Sequence, residues 1–85
     1  MSGDLPAISG KDLIRLLQKD GWDILRSSAH GIALRKHDKN IGRMRITTIP
    51  NKSGSLPSGT LASILSSKQT GIGRKRLAEL IARQG

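Results

Sequence analysis

The residues able to do chemistry in this 85-residue chain are few: two histidines, six carboxylates, no cysteine and no tyrosine. His30 stands out by its setting. It lies in Arg26–Lys36, RSSAHGIALRK, behind Ser27, Ser28 and Ala29 and ahead of a short alternating apolar run. A histidine side chain ordinarily titrates near pH ~6.5, so it can take or give a proton at neutral pH. Small neighbours would let a polymer backbone come close to it. The same position also fits a plainer reading, a polar residue at the start of a strand with its ring hydrogen-bonded to backbone. Without cysteine, disulfides and thiolate zinc sites are excluded, and two histidines with six scattered acids offer no ligand cluster. No metal or other cofactor is expected.

Charge is the second signal. Fifteen Lys and Arg against six Asp and Glu give a net +9 and an isoelectric point near 11.3. On so small a chain this points to a polyanionic partner, with nucleic acid first and an anionic membrane surface or an acidic protein behind it. Simple solubility is the bland alternative. One Trp and no Phe or Tyr argue against a module that stacks single-stranded bases. RNA carries its own nucleophile, the 2′-OH. A histidine for proton transfer and Lys or Arg for the phosphorane charge are a sufficient set for cleaving it. No apolar run approaches the ~18 residues that span a bilayer. MSGDLPAI lacks the basic start and apolar stretch of a signal peptide, so a cytoplasmic location and no membrane partner are expected.

The elements that must position these groups follow from periodicity. Residues 1–8 read as a loose arm of a single domain, 1–85. Ser9 has N-cap spacing, with Asp12 three residues on, and Leu13, Leu16 and Leu17 form a helical stripe that Gly21 ends. Trp22–Arg26 is β-prone, and Ser27-Ser28-Ala29 reads as a turn. His30, Ile32 and Leu34 then share one strand face. Residues 37–42 connect to a third strand, Arg43–Ile49, ended by Pro50. In that strand Met44, Ile46 and Thr48 point one way and Arg43, Arg45 and Thr47 the other. Arg35, Arg43 and Arg45 are expected on the sheet face away from the helices. After the loop 50–59, Thr60 opens a second helix, and residues 74–84 form a third. The order implies an α+β fold, a three-stranded antiparallel sheet with helices on one face.

Two stretches say more than periodicity. LPAISGKDLIRLLQKDGWDILRSSAHGIALRK (5–36) and IPNKSGSLPSGTLASILSSKQTGI (49–72) together resemble the HicA toxin family, the YcfA-like mRNA interferases. That family shows an SGKELIKLLEKDGF-like helix, an Arg followed by a Gly-Ser-His segment, and a P-N-H-x-G…P-x-G-T-L-like run. The resemblance implies a double-stranded-RNA-binding-domain-like fold, α-β-β-β-α, here with an extra C-terminal helix. It implies a metal-independent endoribonuclease that cleaves mRNA and is neutralised by a HicB-type antitoxin. His30 takes the position of the family's active histidine. Two positions depart from the pattern: Ser28-Ala29 stand where Gly-Ser is usual, and Lys52 stands where a histidine is common.

Around His30, the residues read as RNA-binding are Arg26, Ser28, Lys36, Lys52, Thr60, Arg74 and Lys75. Lys52 can hold a phosphate, although it is poorly suited to shuttle protons near pH 7. Thr60 marks a helix N-terminus, whose amides suit a phosphate oxygen. Arg74 and Lys75 open a helix where cations oppose the macrodipole, a placement that favours a binding role. Two other functions fit the same sequence. One is a non-catalytic double-stranded-RNA-binding module, reading A-form shape through 2′-OH and phosphate contacts. The other is a degenerate toxin that only binds its antitoxin, which Ala29 and Lys52 allow.

Overall fold

The computed structural model describes residues 7–84. In them the chain forms α1 (Gly10–Lys19), β1 (Asp23–Ser28), β2 (Gly31–Asp38), β3 (Arg43–Ile49), α2 (Ser58–Leu65) and α3 (Gly73–Gln84). The sheet order is β1-β2-β3, antiparallel throughout. This is the expected α+β architecture, α-β-β-β-α with an additional C-terminal helix.

Both ends of α1 are built by local chemistry. The Ser9 hydroxyl accepts from the Asp12 N–H at 3.1 Å. At the other end Gly21, at φ 99°, donates to the Gln18 carbonyl and Trp22 donates to that of Leu17. This is the Schellman arrangement, and it needs a residue free to take positive φ. It turns the chain so that Trp22 enters the core before β1 begins. Leu13, Leu16 and Leu17 pack on Leu34 and Ile49 of the sheet, and Leu61, Ile64, Leu77 and Leu80 of α2 and α3 close the same cluster. Ile8 belongs to it too, and its carbonyl accepts from the Leu56 N–H at 2.8 Å. Of the arm expected over 1–8, Ile8 is therefore part of the core, while residues 1–6 lie outside the described residues.

Several expected boundaries shift. Ser27 and Ser28 are the last residues of β1, and the turn is Ala29-His30. β1 carries a bulge between Ile24 and Arg26, which absorbs the apolar alternation that Leu25 breaks. Helix α2 starts at Ser58, with Pro57 at its N-cap position, so Thr60 is its third residue.

The larger correction concerns β3. Thr47 and Ile49 are buried beneath the helices and Arg45 shares their side, whereas Met44, Ile46 and Thr48 face away. Arg35 does lie on the open face, opposite Ile46. Arg45 instead reaches back along the covered face. Its Nε donates to Asp38 Oδ2 at 2.6 Å and its Nη1 donates to the Ser67 and Gln69 carbonyls. A cation fits there because its aliphatic stem packs while Nε and Nη1 of its head are hydrogen-bonded. Thr47 Oγ1 donates to Gln69 Oε1 at 2.6 Å, so this end of the sheet holds the 66–70 turn by polar contacts. A second clasp centres on Asp20. Its carboxylate accepts from Arg76 at 2.6 Å and pairs with Lys36 at 3.5 Å, joining α1, α3 and β2.

Candidate active site

Two segments meet at His30 and a third backs them. The first is the β1–β2 turn. His30 is exposed at its tip, and its backbone N–H donates to Ser28 Oγ at 3.3 Å. That hydroxyl in turn donates to the Gly31 carbonyl at 3.4 Å. Ser28 thus ties the turn across its own neck. The second segment is the chain leaving β3. Gly31 has φ 143°, and a Cβ on it would run into the Ile49 carbonyl and sit 3.1 Å from Pro50 Cα. Only glycine lets the turn seat against 49–50. The third is the N-terminus of α1. Lys11 N–H donates to the Lys52 carbonyl at 3.1 Å, and Lys52 N–H donates to the Pro50 carbonyl at 3.0 Å. A Cβ on Gly10 would overlap that same Pro50 carbonyl, so helix and loop touch backbone to backbone.

The result is one small cleft of about 240 Å³, lined by Ser28, Ala29, His30, Gly31, Pro50, Asn51 and Lys52. Lys52 is held through its backbone on both sides while its side chain remains exposed. No carboxylate lines the cleft, so an approaching phosphate meets an imidazole and an ammonium and no opposing charge. Strand alternation puts His30 on a face shared with Ile32 and Leu34. It sits instead in the turn just before β2, where its ring is not committed to the core. Exposure, the condition for a proton-transfer role, is met.

The structure brings Ser28 and Lys52 to His30 and places the other expected RNA contacts elsewhere. Arg26 is exposed on β1, paired with Ala33, on the open side of the sheet. Lys36 lies toward the far end of β2, where its ammonium donates to the Asp20 carbonyl at 2.7 Å as well as to its carboxylate. It braces α1 against the sheet. Thr60 is half-buried in the first turn of α2, and Arg74 and Lys75 are exposed in the first turn of α3, none of them in the His30 cleft. Their neighbour Arg76 is spoken for by Asp20 and Glu79, which push its guanidinium pKa above its ordinary value. Sequence reasoning passed over Gly31 and Gly10. The Ser-Gly helix start was the available signal for Gly10, but it does not reveal that helix and loop touch.

Residues 10–72 match the family model described as the HicA toxin of bacterial toxin-antitoxin systems. The chain belongs to the HicA toxin family. The match runs from α1 through the turn before α3, so it contains every residue of the His30 cleft. The toxin role follows from membership, and with it a partner of the toxin–antitoxin kind. No curated protein and no solved structure is significantly similar to the chain. Among the described residues no group of three His, Asp or Glu is placed to hold a metal ion, and no helix is long and apolar enough to cross a membrane.

Proposed function

We propose that this HicA-family chain is a cytoplasmic, metal-independent endoribonuclease that cleaves mRNA at the His30 cleft and is neutralised by a HicB-type antitoxin. The observation that carries the reading is the pairing of an exposed His30 with Lys52 across one cleft free of carboxylates. The chemistry then follows from the substrate. His30 takes the proton of a ribose 2′-OH, and the oxygen attacks the adjacent phosphorus. The bond from phosphorus to the 5′ oxygen breaks, that oxygen takes a proton from solvent, and His30 returns its proton to water. The products are a 2′,3′-cyclic phosphate and a 5′-hydroxyl. Lys52 opposes the charge that grows on the phosphorane. Ser28 acts through the turn: its hydroxyl is engaged with His30 N–H and the Gly31 carbonyl, so it sets where the imidazole stands.

The test compares wild-type protein and His30→Ala on a defined RNA with chelator present, reading cleavage and product ends together with growth arrest on expression. Cleavage by the wild type to cyclic phosphate ends, absent in His30→Ala, is the expected result. Equal cleavage by both removes His30 from the chemistry. RNA binding without cleavage by either supports the non-catalytic module, and loss of both points to a chain that only meets its antitoxin.

A further inference from the structure

β3 is an edge strand, flanked on its covered face by the 67–69 turn that Arg45 and Thr47 hold. It pairs with β2 without a bulge from Arg43 to Ile49 and holds no proline within its span. Among the described residues its backbone makes no hydrogen bond outside that ladder. The other edge, β1, is broken by the bulge at Ile24–Arg26. Proteins ordinarily blunt such edges, so a regular open one invites strand addition. A shallow groove runs beside β3, between the strand and the 67–69 turn, lined by Ile41, Arg43, Met44, Ile46, Ser67 and Lys68 among others. Met44 and Ile46 are 45% and 54% exposed, on the open face of the sheet. The cations Arg43 and Lys68 lie along the same groove, which no carboxylate lines.

The geometry points to β3 as a docking edge for an extended segment of an acidic partner protein, which adds a fourth strand to the sheet. Side chains alternate across a strand, so the added segment presents every second residue to Met44 and Ile46 and the residues between to Arg43 and Lys68. The segment it fits therefore alternates apolar with acidic residues. A second copy of this chain fits poorly, because it would bring its own Arg43 and Lys68 and a further net +9. RNA fits poorly as well, having no strand-like order of donors and acceptors and nothing to gain from Ile41, Met44 and Ile46. The docking edge is separate from the proposed cleavage reaction. β2 and β3 pair at Ile32–Ile49 beside the His30 cleft and at Asp38–Arg43 beside the groove, six residues further along the strand or about 20 Å.

The test uses the full chain and a capped nine-residue peptide of alternating Val and Glu. One control carries N-methyl groups on alternate amides, and another has the same composition in two blocks. Binding is followed by NMR shifts and amide hydrogen exchange. The expected result is protection of those β3 amides that do not bond to β2, with His30 and Lys52 unmoved. Affinity should fall at least tenfold for the N-methylated and block peptides, and at least tenfold for an Ile46→Lys protein that keeps its circular dichroism. In the binding experiment, four results would overturn the assignment: no binding, equal binding by the N-methylated peptide, protection mapping to β1 or the His30 cleft, or a short RNA duplex covering the same amides more tightly. Dimerisation of the free chain through β3, seen by sedimentation, would overturn it in favour of self-pairing.

Discussion

In the proposed reaction Lys52 and Gly31 serve His30 in ways that different measurements separate. Lys52 supplies charge, and its backbone is anchored whatever its side chain is. Lys52→Ala should therefore leave thermal stability unchanged and lower cleavage by about 10²-fold, the scale of losing one transition-state donor. Lys52→Arg should recover most of that loss, and single-turnover cleavage with a parallel melt checks both. Gly31 supplies room. Gly31→Ala forces an L residue to φ 143° and drives its Cβ at the Ile49 carbonyl, so the turn must lift off 49–50. Its cost should be about 1–3 kcal/mol of stability, and cleavage should fall as well because His30 and Lys52 separate. Trp22, the single tryptophan and buried in the core, reports the unfolding by fluorescence in urea. A Gly31→Ala protein as stable and active as wild type would mean the contact is not needed.

The elements depend on two carboxylates as well as on the leucine stripes. Asp20 is nearly buried and receives both Arg76 and Lys36, so it fixes α3 and β2 to the end of α1. Asp20→Ala removes the carboxylate from Arg76 and Lys36, both partly exposed and Lys36 still bonded to the residue-20 carbonyl, so the expected loss is about 1–2 kcal/mol, seen as a lower urea midpoint at unchanged slope. Asp38 makes the matching link at the hairpin. The hydrogen bond from Arg45, helped by the Asn40 N–H, holds its carboxyl below the ordinary carboxylate value of 3.8. A depressed carboxylate adds stability that is present above its unfolded pKa and is lost as the pH falls through its folded value. Asp38→Asn should therefore be less stable than wild type at neutral pH, with the difference closing below pH ~4 as the wild-type carboxyl is protonated; a gap that persists at acid pH would show that the link is not ionic. These clasps explain what the sequence could and could not disclose. The stripe of Leu13, Leu16 and Leu17, the Ser9 cap and the Gly21 stop were legible because each rests on neighbours in sequence. The side of the sheet taken by Arg45 was not, since its partners at Ser67 and Gln69 lie more than twenty residues away. His30 was legible as a residue type in a small-residue setting. The cleft was not, because it exists only where Gly31, Pro50 and Gly10 bring three distant segments into backbone contact.

For the whole molecule the decisive quantity is a net charge of +9 carried by 85 residues. Much of it is not committed to internal pairs: Arg26, Arg35, Lys52 and Lys75 are exposed and take part in none of the salt bridges among the described residues. Salt then acts on two processes with opposite sign. Screening relieves repulsion among like charges in the folded chain, so added salt should hold or raise the urea midpoint. The same salt competes with phosphate contacts. For single-stranded RNA the logarithm of affinity falls with the logarithm of salt by about 0.7 per phosphate neutralised. If three to five phosphates are held, affinity should drop roughly twentyfold to a hundredfold between about 50 and 200 mM salt. Measured on His30→Ala, so that the substrate survives, the titration gives the phosphate count directly, and repeating it with Lys52→Ala should reduce the slope by one contact. A flat response would remove RNA as the reason for the charge. A falling affinity alongside a falling urea midpoint would mean that salt is unfolding the chain rather than displacing it from phosphate.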